Sequence, residues 1–289
     1  MITLDNGLSE RLKEGMNVGS SIELPFFAPV FWVMNGDPKL RQVGGVHYFG
    51  GFAVSAEDWQ KACFEEWGLS SEPAGIVKTE INTTDGRDLD IYASRHLIVA
   101  PICSRITWSS RDGMRYTEYV QGTRQHAQVL AYLAVKTESG IEPLNIVMLS
   151  AKGYQAKNML DAFGAWDRAT KQVRGKVAPG VPAWCFYLSI GTFGNDRKQI
   201  MVGKGNSQSA ITPISAYIPK EITPEIIEKL FVGQDVAEAM VTYLESSQEW
   251  LHAYDQKSGN GSTKPVEAPP EPDFGDLDPI PPAPDDVPF

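Results

Sequence analysis

The chain of 289 residues is short of the groups from which metal centres and catalytic triads are built. It has three cysteines, Cys63, Cys103 and Cys185, odd in number and far apart. That excludes a disulfide framework and offers no C-x-x-C pair for zinc. The four histidines, His47, His96, His126 and His252, show no ligand spacing, and neither an H-E-x-x-H nor a nucleophile-elbow pattern occurs. MVGKGN invites a phosphate-loop reading and fails it, because Lys204 is followed by Gly205 where Ser or Thr is required. No run of about 18 apolar residues could cross a bilayer, and MITLDNGLSERLKEG carries no apolar signal region. These absences predict a cytoplasmic protein that is not an enzyme and needs no cofactor or metal. One acidic pair stands apart. Asp88 and Asp90 alternate along a strand and would put two carboxylates on one side for a divalent cation, although a strand-edge turn after TTDGR accounts for them more simply.

Charge is unevenly spread. The net charge is −10, with 42% apolar and 21% charged residues, as in an ordinary globular protein. Residues 258–289 hold seven acids (Glu267, Glu271, Asp273, Asp276, Asp278, Asp285, Asp286) against Lys264, a net of −6. Residues 87–204 hold 16 Lys and Arg against 9 Asp and Glu, a net of +7. A basic centre between acidic flanks points toward a polyanionic partner.

The chain divides by composition. Residues 258–289 carry nine of the 20 prolines and open on Ser258-Gly259-Asn260-Gly261-Ser262. Such a segment buries too little apolar surface to offset its ordering entropy, so a disordered acidic tail is expected, with a reach of roughly 30 Å. Residues 221–257 read as helices: Thr223 caps one, Pro224 takes its first turn and Gly233 stops it. A second helix would place Val236, Met240, Tyr243, Leu244, Trp250, Leu251 and Tyr254 near one face. Residues 87–220 alternate like β-structure. LDIYASRHLIVAPICSRITW reads as a long strand interrupted at Pro101, Asp112-Gly113 signals a hairpin, and QHAQVLAYLAVKT and LNIVMLS follow as strands. A helix around YQAKNMLDAFGAWDRATKQV precedes further strands in WCFYLSIGTF, RKQIMVGK and AITPISAYI. Residues 1–86 read as an N-terminal elaboration packed on that core, with aromatic strands, a helix over residues 55–68 opened by Ser55 and Asp58, and a PFFAPVFW cluster suited to a core or subunit interface. Strands, one helix and then strands is the order of an OB-fold, so the expected class is mainly β (α+β): an OB-like antiparallel β-barrel with added helices.

The strongest constellation for ligand chemistry is the hairpin RITWSSRDGMRYTEY. It offers Arg105, Trp108, Arg111, Arg115, Tyr116 and Tyr119 within 15 residues. Cations along a phosphate path and aromatic faces for base stacking are what binding to single strands without sequence preference requires. A second set is Lys152, Tyr154 and Lys157, and a third is Phe193, Arg197, Lys198 and Lys204.

The chain ends Asp285-Asp286-Val287-Pro288-Phe289. This tip resembles the Asp-Asp-Asp-Ile-Pro-Phe tip of bacterial single-stranded DNA-binding proteins, with Val287 where that family usually has Ile and two consecutive acids instead of three. The resemblance covers the tip and the style of the tail and does not extend to the body. In that family an OB-fold body is joined by a Gly/Pro-rich linker to an acidic tip that recruits replication and repair enzymes. It implies a bacterial or phage protein that binds and protects single-stranded DNA in replication, recombination or repair. Asp285, Asp286, Val287, Pro288 and Phe289 would dock replication or repair proteins, the acids on a basic rim and Phe289 in an apolar pocket. Two other readings stay open: a replisome-docking adaptor that never touches DNA, and a metal-dependent nuclease or recombination factor using Asp88 and Asp90. Homo-oligomerisation is also left open.

Overall fold

The computed structural model describes residues 24–252 apart from 37–41, 44–45, 48–49, 83–87, 110–114, 117, 194–199 and 204–207. Its strands are β1 (Val30–Asn35), β2 (Gln42–Val43), β3 (Val46–His47), β4 (Gly50–Ser55), β5 (Val77–Asn82), β6 (Asp88–Ser94) and β7 (His96–Ser109). They continue with β8 (Arg115–Tyr116), β9 (Arg124–Thr137), β10 (Gly140–Lys152), β11 (Leu188–Gly191), β12 (Ile200–Val202), β13 (Ser209–Ile211) and β14 (Ser215–Ala216). The helices are α1 (Ala56–Gln60), prolonged by a π-helical stretch Lys61–Glu66, α2 (Tyr154–Val177), α3 (Pro224–Leu230), α4 (Gln234–Ser246) and α5 (Gln248–His252).

The protein is mainly β, as its alternation predicts, and is built on one large mixed sheet. The order is β14-β11-β7-β9-β10-β1-β4-β6-β5, with β8 added to β7. All pairings are antiparallel except β1 with β10, where Val30, Phe31 and Trp32 meet Met148, Leu149 and Ser150. The hydrogen-bonded path ends at β5 and at β14, so the described strands form an open sheet and no closed barrel. β1 and β4, from the segment read as an elaboration, lie inside this sheet. Local pattern could not reveal that, because a parallel contact between residues 31 and 149 leaves no trace in either segment alone.

The long strands follow from composition. In β9 every residue from His126 to Ala131 is buried, so both faces are covered and the sequence reads as a nearly continuous apolar run. β6 and β7 correct the expected single strand: the chain breaks at Arg95, while Pro101 stays inside β7 beside a register shift between Pro101 and Cys103. A bulge accommodates a proline by leaving a residue out of the ladder.

Helix starts obey the sequence. Ser55 Oγ accepts from the Asp58 N–H at 3.0 Å, and Thr223 Oγ1 accepts from the Ile226 N–H at 3.4 Å. The helix expected after Gly233 divides at Ser247 into α4 and α5, with Met240 and Trp250 buried. In α2 the buried stripe Ala156, Met159, Ala162, Trp166 ends in Thr170 and Arg174. Arg174 lies along the Trp166 and Phe186 rings and pairs with Asp167. From the PFFAPVFW cluster, Phe31 is fully buried against Trp59, 5.5 Å between ring centroids, and Phe26 meets Tyr243 at 4.8 Å. The cysteines are structural: Cys63 and Cys185 are buried, and burial pushes the Cys63 thiol up to about 12 and that of Cys103 to about 11.

Candidate nucleic-acid interface

Register fixes which side chains share a face. Arg105, Gln128, Ser150, Trp32, Ala53, Ala93 and Val77 stand in one row across β7, β9, β10, β1, β4, β6 and β5. The next row begins Thr107, His126, Lys152.

Arg105 belongs to the interior of this arrangement, which corrects its reading as a phosphate contact. It is 7% exposed, donates to the Trp250 carbonyl at 2.8 Å and to Gln128 Oε1 at 2.6 Å, and lies 4.0 Å over the Trp250 ring. Its guanidinium ties β7 and β9 to α5.

Of the first set, Tyr116 and Tyr119 gather around Trp108. Tyr116 stands opposite it in the β7–β8 register, and Tyr119 meets its ring edge-on at 5.0 Å. All three aromatics are partly exposed. Arg115 opens β8 opposite Ser109. β8 is only two residues long.

The second set adjoins the first. Trp108 is paired with Gln125, whose carbonyl accepts from the Gly153 N–H at 2.7 Å, and Gly153 is the residue from which α2 starts. Lys152 is exposed at the end of β10, while Tyr154 and Lys157 are partly buried in the first turn of α2. That turn contains no acid and its cap makes no side-chain hydrogen bond. Aligned peptide dipoles leave a partial positive charge there, which the two lysines reinforce.

Phe193, the described member of the third set, is reached through a polar junction. Gln155 Nε2 donates to Asn35 Oδ1 at 2.9 Å and to the Thr212 carbonyl at 2.7 Å, and Asn35 Oδ1 also accepts from the Thr212 N–H. Asn35 is paired with Gly50, whose carbonyl accepts from Thr192 Oγ1 at 3.0 Å. Phe193 follows, stacked on His96 at 5.8 Å between centroids and tilted on Tyr217 at 5.9 Å. Burial, with Arg95 beside it, lowers the His96 pKa, so the ring is neutral at pH 7. The sequence reading missed Asn35, Arg95, His96, Gln155 and Tyr217. Only Arg95-His96 carried a signal, a charged break inside an apolar run.

Arg111, Arg197, Lys198 and Lys204 lie outside the described residues, as do the tip residues Asp285, Asp286, Val287, Pro288 and Phe289. Asp90 is exposed with its carboxylate 3.4 Å from Lys78 Nζ. Among the described residues no three His, Cys, Asp or Glu side chains group to hold a metal ion, and no helix is long and apolar enough to cross a membrane. The chain matches no protein-family model, no curated protein and no solved structure.

Proposed function

We propose that this is a cytoplasmic, bacterial or phage-encoded protein that binds and protects single-stranded DNA in replication, recombination or repair, and not an enzyme. The observation that carries the reading is the start of α2: an acid-free helix N-terminus between Lys152 and Lys157, hydrogen-bonded through Gly153 to the strand partner of Trp108. Phosphates would take the helix start and the lysines, and bases would stack on Trp108, Tyr116, Tyr119 and Phe193. An OB-like body is part of this proposal. β7, β9 and β10 run consecutively antiparallel and α2 follows them, and the sheet curls until Gly50 of β4 meets Thr192 beyond β11. The acidic tail would recruit a replication or repair protein through Phe289.

The test is a titration with fluorescent oligo-dT at low and moderate salt. Full-length protein and a chain ending at Lys257 should both bind, the shorter one equally or more tightly, since an acidic tail competes with phosphates. Weak binding by the shorter chain alone would transfer the activity to the tail, and no binding by either would remove DNA from the account. The double variant Lys152→Ala/Lys157→Ala should bind roughly tenfold less tightly at low salt, and the slope of log K against log salt should flatten by about 1.4. Its melting temperature should match the parent's.

A further inference from the structure

β5 closes one side of the sheet, paired with β6 along its whole length and with no strand hydrogen-bonded beyond it among the described residues. β2 passes close by but pairs with β3. An open edge presents a row of backbone donors and acceptors to any strand that can be added. Along β5, Lys78 and Glu80 are exposed on one face. Val77, Thr79 and Ile81 occupy the other, where Val77 is 39% and neighbouring Leu89 37% exposed. On that face Ile81, Trp32 and Met34 are only partly buried around Ala53, Ile91 and Ala93.

Val77-Lys78-Thr79-Glu80-Ile81 is complementary to itself read backwards: aliphatic, cation, threonine, anion, aliphatic. We propose that β5 pairs antiparallel with β5 of a second copy of this chain, about a two-fold axis through Thr79. A two-fold axis normal to the sheet keeps each face on its own side, so opposed residues must both be even-numbered or both odd-numbered. Near the strand centre that leaves three registers. Centring on Lys78 opposes two lysines, and centring on Glu80 opposes two glutamates, both destabilising. Centring on Thr79 sets Lys78 against the partner's Glu80 twice, Val77 against the partner's Ile81 twice, and joins the two apolar faces. Glu80 gains most from this arrangement. Within its own chain it stands opposite Asp90, a like charge, while Lys78 is already drawn to Asp90.

Sedimentation of the full-length chain across the micromolar range tests the proposal. The wild type should be a dimer. Lys78→Glu and Glu80→Lys each convert both ion pairs to repulsions and should weaken the dimer by about tenfold or more. The double variant Lys78→Glu/Glu80→Lys should restore it. Circular dichroism melts serve as the folding control, and loss of the exposed Lys78–Asp90 pair should leave them nearly unchanged. A monomeric wild type, a dimer indifferent to both single reversals, or a folded double variant that stays monomeric would each overturn the assignment.

Discussion

Replacing Arg105 with alanine should lower the free energy of unfolding by about 3–5 kcal/mol, with DNA affinity of the folded protein changed by less than about threefold. The side chain is 7% exposed and meets two acceptors, the Trp250 carbonyl and Gln128 Oε1. Hydrogen bonds from a charged donor contribute about 1.5–3 kcal/mol each. Removing the donor deprives the buried Gln128 Oε1 of this partner, and among the described residues the Gln128 side chain is otherwise held through its amide nitrogen to Met148 Sδ at 3.2 Å. The guanidinium 4.0 Å above the Trp250 ring adds a cation–π contact worth about 1–2 kcal/mol when desolvated. These contributions are not additive, which sets the range below their sum. At about 2–4 °C per kcal/mol for a chain approaching this size, the melting temperature should fall by roughly 6–20 °C. Arg105→Lys should recover little, because an ammonium cannot reach both acceptors in the plane of a guanidinium fork. Thermal melts beside an oligo-dT titration below the transition separate the alternatives. An unchanged melt with a tenfold loss of affinity would return Arg105 to the phosphate path.

Gly51→Ala and Gly191→Ala should each cost about 4 kcal/mol or more, lowering the melting temperature by roughly 8–16 °C or preventing folding. A Cβ on Gly51 would lie 2.3 Å from the Ser94 carbonyl oxygen and 2.7 Å from Arg95 Cα, at φ +140°. On Gly191 it would lie 2.2 Å from the Arg95 carbonyl oxygen, at φ +158°. Both clashes are with backbone, so no side-chain rotation relieves them. The cost combines about 1–3 kcal/mol of conformational strain with displacement of the β6–β7 turn. That turn is where the chain leaves the β4–β6 side of the sheet and enters β7, and where Thr192 N–H meets the Arg95 carbonyl at 2.9 Å. Gly180 and Gly233, with nothing within 4 Å of their Cβ positions, are the controls. Alanine there should cost only the strain of a positive φ. Equal effects at all four positions would mean that the junction is not tightly packed.

How far the site was legible depended on the range of the interactions that build it. Trp108, Tyr116 and Tyr119 could be grouped from the sequence because a hairpin brings near neighbours together. Lys152, Tyr154 and Lys157 could be grouped because one strand end and one helical turn contain them. Their union needed the Gly153–Gln125 hydrogen bond and the β7–β9 register, contacts between residues 17 to 28 positions apart. Phe193 is linked to them through Thr192, Gly50, Asn35 and Gln155, and two of those links, Thr192–Gly50 and Asn35–Gln155, span more than 100 residues. Arg105 illustrates the opposite failure. In sequence it is one more cation in a basic hairpin, and nothing nearby announces that Trp250, 145 residues later, covers it.

The sequence by itself determined the mainly β character, the caps at Ser55 and Thr223, the presence of the long helix, and the basic centre between acidic flanks. Each follows from side-chain periodicity or local hydrogen bonding within a few residues, which the linear order displays directly. Tertiary structure alone decided that β1 runs parallel to β10 inside the main sheet, that the described strands stop short of a closed barrel, and that Arg105 turns inward while Lys152 stays exposed. Those outcomes depend on which distant segments bury each other's apolar faces, and periodicity records that a face is apolar without recording what covers it.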